Sequence, residues 1–169
     1  MPEKETMERA REDAKEGKSP STQAGEFVRE EMHHIREGKH GAASTKQAIA
    51  IGLSKARRAG VKLATPNPRT SSAGTRKKAA QDSRKGRSGA GSHPSPRRSR
   101  ATLGALKREP HSAASRENLS RQAHAAATRR GSRARHRAAE AAVRTKRREE
   151  LSRAGKKAAR TRAKHRRAA

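Results

Sequence analysis

The stretch SPSTQAGEFVREEMHHIREGKHGAASTKQAIAIGLSKARRAG, residues 19–60, decides the fold of this chain. Large apolar side chains recur within it at i, i+4 and i+7, first at Val28, Met32 and Ile35 and again from Ile49 onward. This spacing places apolar side chains on one face of an α-helix. The stretch therefore predicts two helices that pack their apolar faces against each other.

Capping residues mark both ends of the two predicted helices. Ser19 is an N-cap with Pro20 at the first helical position, and Gly38 follows the end of that helix. Ser44 opens the next helix as the first residue of a capping box, and Gly60 suits the left-handed position beyond its end. The sequence from Ala42 through Gly60 has a fainter copy over residues 113–131, so the unit is predicted to repeat.

A small helical module is predicted over residues 1–63, because a charged helix over about residues 2–16 precedes the helical pair at 19–60. Its core contains few large side chains, so marginal stability is expected. The predicted core residues are Phe27, Val28, Met32 and Ile35 on one helix and Ile49, Ile51 and Leu53 on the other.

Composition limits what the rest of the chain can do. Leu, Ile, Val and Phe together number 13 among 169 residues, and Phe27 is the single aromatic residue. So few apolar residues in a highly charged chain predict disorder rather than a core of ordinary size. The chain has no cysteine, and no apolar run approaches the ~20 residues of a membrane span. A cytoplasmic location, without a membrane span, is therefore predicted.

Two further zones follow the module. Residues 64–100 are rich in Pro, Gly and Ser and contain basic clusters, which predicts an extended linker. Residues 101–169, hereafter the basic arm, are rich in Ala and Arg; this predicts a largely disordered segment that forms helix readily. The predicted fold class is therefore all-α, with short helices in the N-terminal module and a helix-prone basic arm.

Charge is divided unevenly along the chain. Residues 1–43 contain 8 Lys/Arg and 10 Asp/Glu, whereas residues 44–169 contain 36 Lys/Arg and 6 Asp/Glu. So large a basic excess opposes compaction until a polyanion neutralises it, which indicates a nucleic-acid partner. Without aromatic side chains for base stacking, recognition is expected through phosphates and is therefore blind to sequence. The residues predicted to contact nucleic acid are Arg57, Arg58, Arg97, Arg98, Arg129, Arg130, Arg133, Arg137, Arg144, Lys146, Arg147, Arg148, Arg153, Lys156, Lys157, Arg160, Arg162, Lys164, Arg166 and Arg167.

Catalysis and metal binding are not predicted. The sequence shows no nucleophile–base pairing and no Gly-rich phosphate loop before a helix, so we expect neither an enzyme nor a cofactor. Glu30 and His34 stand at i, i+4, with His33 and His40 nearby, but no third ligand has a defined spacing. These side chains are therefore predicted to be ordinary exposed helical residues.

Two resemblances add to this interpretation. The run EGKSPSTQAGEFVREEMHHIREGKHGAASTKQAIAIGLSKARRAGVKL, residues 16–63, resembles small basic bacterial proteins grouped as a domain of unknown function. That resemblance implies a bacterial source and carries no known activity. The Ala/Arg tail resembles the Lys/Arg/Ala-rich bacterial proteins that are compared with linker histones, and Ser95-Pro96-Arg97-Arg98 resembles a linker-histone motif that places basic side chains in the minor groove.

The sequence thus favours a nucleoid-associated, histone-like protein that binds DNA without sequence specificity by neutralising phosphates. A basic protein that binds RNA or the ribosome uses the same phosphate chemistry and stays open as an alternative. A third possibility is an adaptor whose helical module binds a protein while the basic arm localises it.

Overall fold

The computed structural model describes residues 2–88, 95–145, 153 and 155–160. No residue in these ranges forms a β-strand, so the predicted all-α class is confirmed. The helices are α1 (Lys4–Lys15), α2 (Pro20–Arg36), α3 (Thr45–Arg58), α4 (Ala73–Ser88), α5 (Pro96–Lys107), a short 3-10 helix (His111–Ala114) and α6 (Arg116–Thr145).

The predicted ends of α2 are confirmed. Pro20 is its first residue, and the Ser19 hydroxyl accepts a hydrogen bond from the backbone N–H of Thr22 at 3.4 Å. Beyond the last turn, Gly38 has a φ of +75°, a left-handed conformation that glycine adopts without strain. The capping residues identified in the sequence therefore determine both ends of this helix.

The ends of α3 follow the prediction with one change in the capping box. The Ser44 hydroxyl accepts from the backbone N–H of Gln47 at 3.2 Å, as expected. The Gln47 side chain accepts in return from the N–H of Ala43 at 2.8 Å, one residue before the usual partner. Gly60, with a φ of +94°, follows the end of the helix.

Two small apolar clusters hold the module together, and both lie between α2 and its neighbours. Small alanine side chains complete each cluster, which compensates for the scarcity of large apolar residues. The first cluster comprises Met32, Ile35, Ala42, Ala48, Ala113 and Ala114, with Val28, Ile49 and Leu119 packed against it. The second comprises Ala10, Ala24, Phe27 and Ala56, with Met7, Leu53, Ala59, Val61 and Leu63 packed against it.

The close approach of α2 and α3 depends on Gly52. A Cβ atom at this position would lie 2.8 Å from Val28 Cα, closer than real Cβ contacts allow, and 3.0 Å from Val28 Cγ2. Glycine thus lets the two backbones approach, so that the apolar faces predicted from the i, i+4, i+7 spacing meet.

Within residues 64–100, residues 73–88 and 96–100 are helical, unlike the extended conformation that composition predicts. Residues 73–88 form α4, which packs on α3, and Arg58 of α3 donates a hydrogen bond to Asp82 at 3.0 Å. Gly86 lies so close to the carbonyl of Arg57 that a Cβ would collide with it. Of the four prolines that suggested a linker, Pro66 and Pro68 precede α4, Pro96 is the first residue of α5, and Pro94 lies outside the described residues.

The start of the basic arm packs on the loop between α2 and α3. The backbone N–H of Gly41 donates to the carbonyl of Leu106 at 2.9 Å, and the N–H of Ala42 donates to Pro110 at 3.1 Å. The Thr45 hydroxyl donates to the carbonyl of Ala113 at 2.6 Å. Chain contacts accordingly group residues 1–122 into one compact unit and residues 123–169 into another.

Helix α6 begins where the fainter copy of the repeat predicts a helix, but it continues beyond the copy to Thr145. The Ser115 hydroxyl accepts from the backbone N–H of Asn118 at 3.2 Å, as Ser44 does at the start of α3. Gly131 interrupts the helix with a φ of +75°, at the position that matches Gly60. Among the described residues, no helix is both long and apolar enough to cross a membrane.

Candidate functional site

Four predicted nucleic-acid contacts lie on α6 with their side chains exposed to solvent. Two of them, Arg129 and Arg130, donate from Nε to carbonyls one turn earlier in their own helix. Within the described part of the chain, none of the four forms an ion pair with a carboxylate. These four residues, hereafter the α6 arginines, are Arg129, Arg130, Arg133 and Arg137.

The two predicted contacts on α3 have structural partners instead. Arg57 is 8% exposed, and its guanidinium lies 3.5 Å from the carbonyl of Ala64. Arg58 is half-exposed but is paired with Asp82, which is 1% exposed. In this conformation Arg57 is not accessible to a phosphate, and Arg58 ties α4 to α3.

The other predicted contacts are distributed over the remainder of the chain. Arg97 and Arg98 are exposed in the first turn of α5, where Pro96 is the first residue. The backbone of Arg144 belongs to α6. Further exposed residues with helical backbone are Arg153, Lys156, Lys157 and Arg160. The residues Lys146, Arg147, Arg148, Arg162, Lys164, Arg166 and Arg167 lie outside the described ranges.

A second group of functional side chains is buried inside the module. Helix α2 carries two adjacent carboxylates in its interior face, Glu30 at 4% and Glu31 at 0% exposure. The ammonium of Lys55 on α3 lies 3.1 Å from Glu30 Oε1 and 2.8 Å from Glu31 Oε2. One lysine thus faces two buried carboxylates, and an unpaired buried charge is costly.

The two carboxylates differ in how well they are satisfied. Burial opposes ionisation of Glu30, but hydrogen bonds from the Glu3 backbone N–H, Lys55 and Thr6 outweigh it and hold the pKa of Glu30 below its usual value. Glu31 Oε2 has the Lys55 ammonium 2.8 Å away, whereas Oε1 has no hydrogen-bond donor within the described part of the chain except His40 at 3.4 Å. Glu31 is therefore the incompletely satisfied member of the pair.

Two histidines stand beside Glu31. His40 Nε2 lies 3.4 Å from Glu31 Oε1, and His40 Nδ1 lies 3.0 Å from the backbone carbonyl of Gly41. The ring of His34 meets that of His40 edge to face, with centroids 6.1 Å apart. One ligand atom from each of Glu31, His34 and His40 lies within 4.8 Å of the other two. We call these three residues the Glu–His–His cluster.

The solvent side of the Glu–His–His cluster is polar. His34 Nε2 lies 2.9 Å from Glu3 Oε1, and the hydrogen bonds from His34 and Lys39 lower the pKa of Glu3. A cavity of about 290 Å³ is lined by side chains that include Glu3, Glu30 and His34. Water can therefore reach His34.

The sequence contained these residues but did not indicate their arrangement. Helical spacing paired Glu30 with His34 at i, i+4, whereas the structure joins His34 with Glu31 at i, i+3. The third member, His40, comes from the loop after α2, and no local spacing rule places it. His33, the remaining histidine of α2, is exposed.

Comparison with known proteins finds a family match for the part of the chain that includes α2 and α3. Residues 18–67 match the model of a family of unknown function (DUF6496). This match covers α2, α3 and the loop that carries His40. No curated protein and no solved structure matches the chain.

Proposed function

We propose that this chain binds duplex DNA without sequence specificity, through the α6 arginines and the further Lys and Arg residues of the basic arm. The observation that carries the proposal is that the α6 arginines are exposed and lack carboxylate partners among the described residues. A guanidinium in this state can donate two parallel hydrogen bonds to phosphate oxygens. An external polyanion supplies the negative charge that the surrounding chain does not.

The charge balance of residues 123–169 supports the same proposal. These residues contain 17 Lys/Arg and 3 Asp/Glu, a net charge of +14. Binding to a duplex would release condensed counterions, and this release drives association without reading bases. The chain has one aromatic side chain, Phe27, and it is buried, which disfavours recognition by base stacking.

The N-terminal module differs because much of its charge is compensated internally. Residues 1–63 contain 13 Lys/Arg and 10 Asp/Glu. Arg9 pairs with Glu26 and Lys18 pairs with Asp13, each at 2.8 Å. The module therefore attracts a polyanion less strongly than the basic arm does, and we assign DNA binding to the arm. A histone-like role in the bacterial nucleoid follows from this assignment.

Affinity purification of the full-length chain from cells, with separate nuclease treatments, tests the proposal. Bound material that is lost after DNase and retained after RNase supports DNA as the partner. Loss after RNase alone would favour the RNA- or ribosome-binding alternative. Protein partners that survive both treatments, without bound nucleic acid, would favour the adaptor.

A binding assay with purified components complements the purification. Two duplexes of equal length and unrelated sequence are titrated with the full chain at the same salt concentration. The proposal predicts equal affinities, because phosphate contacts carry no direct sequence information. A strong preference for one duplex would contradict it.

A further inference from the structure

We propose that Glu31, His34 and His40 bind a divalent transition-metal ion of the Zn²⁺ class. Two imidazoles and one carboxylate are a ligand set that such ions accept, and three protein ligands leave one position for water. The site is independent of the proposed DNA binding, because it lies inside the module and not on the basic arm.

The first argument is the spacing of the donor atoms. A tetrahedral Zn²⁺ ion with bonds of about 2.0–2.1 Å keeps its ligand atoms about 3.3 Å apart. Glu31 Oε1 and His40 Nε2 are 3.4 Å apart, which is long for a hydrogen bond and suitable for two ligands of one ion. A ring nitrogen of His34 lies within 4.8 Å of both, so a side-chain movement of up to about 1.5 Å completes the set.

The second argument is the hydrogen bonding of the imidazoles. The carbonyl of Gly41 can only accept, so the Nδ1 of His40 carries the proton of that hydrogen bond, and Nε2 is the ring nitrogen available to a metal. This nitrogen lies 3.4 Å from an oxygen of Glu31, and a cation between the two atoms would satisfy both. Glu3 likewise accepts from His34 Nε2, so Nδ1 is the ring nitrogen of His34 available to a metal. Such outer partners fix metal-binding histidines in the required tautomer.

The third argument is the charge of the interior. Glu30 and Glu31 are both almost fully buried, and Lys55 supplies one positive charge for the two. Glu30 has hydrogen bonds from the Glu3 backbone and from Lys55, and Lys55 also contacts Glu31 Oε2, but Glu31 Oε1 has no hydrogen bond within the described residues. A divalent ion at Glu31 Oε1 balances the excess negative charge while Lys55 stays at Oε2.

A metal at this site would join the loop after α2 to the helix itself. His40 lies in that loop, whose next residues Gly41 and Ala42 bond to Leu106 and Pro110. The ion would therefore stabilise the packing of residues 106–114 on the module as well as the α2–α3 pair. Because binding favours the folded state, added Zn²⁺ raises the melting temperature.

Zn²⁺ titration of the metal-free full-length chain, followed by calorimetry, tests the proposal. We expect one saturable site per chain in the wild type. His40→Gln and Glu31→Gln should each weaken this site at least tenfold. His33→Gln is the matched control, since His33 is exposed on the same helix and outside the Glu–His–His cluster; it should leave the affinity unchanged.

Imidazole ¹H–¹⁵N NMR spectra of the wild type provide a measurement that does not depend on any variant folding. Zn²⁺ should shift the ring nitrogens of His34 and His40 before those of the other histidines. The proposal is overturned by the absence of a saturable site, by unchanged affinity in a folded His40→Gln variant, or by first shifts at other histidines. In those cases the contact between His40 and Glu31 is only structural.

Discussion

Replacement of Gly52 by alanine should destabilise the module, although alanine is the better helix former. In an open helix position, Gly→Ala stabilises by about 0.8–1.0 kcal/mol. At Gly52 the new Cβ would lie 2.8 Å from the backbone of Val28, so α2 and α3 must separate. Overpacking of this kind costs about 1–3 kcal/mol. The net effect is a destabilisation of up to about 2 kcal/mol, which we expect in urea unfolding followed by far-UV circular dichroism.

Gly25→Ala is the matched control for this prediction. Gly25 lies in α2, and no atom comes within 4 Å of the position that its Cβ would take. The same substitution should here stabilise by about 1 kcal/mol, because only the helix propensity changes. If Gly52→Ala stabilises the chain as much as Gly25→Ala, the two helices do not cross at Gly52 and the described packing is wrong.

Three further substitutions separate stability from binding. Leu53→Ala should lower the free energy of unfolding by about 2 kcal/mol, the low end for leucine, because the side chain is partly buried. The full-length variant should still shift a DNA duplex in a gel, and loss of this shift would assign DNA binding to the module. Arg58→Ala leaves Asp82 buried with Lys78 3.9 Å away as its remaining cation, so amide hydrogen exchange should accelerate in α4 before the other helices. Equal acceleration in all helices would show that Arg58 does not hold α4 on α3. Ser44→Ala removes the side-chain cap of α3 and should lower the unfolding free energy by about 1 kcal/mol. Ser95→Ala is the control, because Ser95 is exposed and its side chain makes no capping hydrogen bond, so the unfolding free energy should not change.

The helices of the module were predictable because their signals are local. Ser19 and Ser44 bond to N–H groups three residues later, and Gly38 and Gly60 adopt positive φ. Such interactions involve neighbours in sequence, so a pattern of a few residues specifies them. The spacing of apolar residues along α2 and α3 then predicted which face of each helix packs against the other.

Helix α4 was missed because its partners are distant in sequence. Its own composition is polar and includes Gly74 and Gly86, which lowers helix propensity. Its contacts are tertiary: Asp82 pairs with Arg58, and the absence of a side chain at Gly86 allows approach to the carbonyl of Arg57. Composition alone therefore predicted an extended chain.

The Glu–His–His cluster could not be predicted for a related reason. Spacing along α2 relates His34 to both Glu30 and Glu31, and it does not tell which carboxylate is joined to the histidines. His40 reaches Glu31 because the loop after α2 turns back and is held by the carbonyls of Leu106 and Pro110. Those residues are more than sixty positions away in the chain.

The salt dependence of duplex binding by the full-length chain tests the central claim most directly. If about ten phosphates are neutralised, log K against log salt should have a slope near −9. Replacing the four α6 arginines by Gln should reduce its magnitude by about 3–4, at 0.9 per lost contact. A control with equal charge loss on the module, which should leave the slope unchanged, replaces Lys4, Arg11, Lys15 and Lys46 by Gln. A slope shallower than about −3, or equal losses in both variants, would contradict the account.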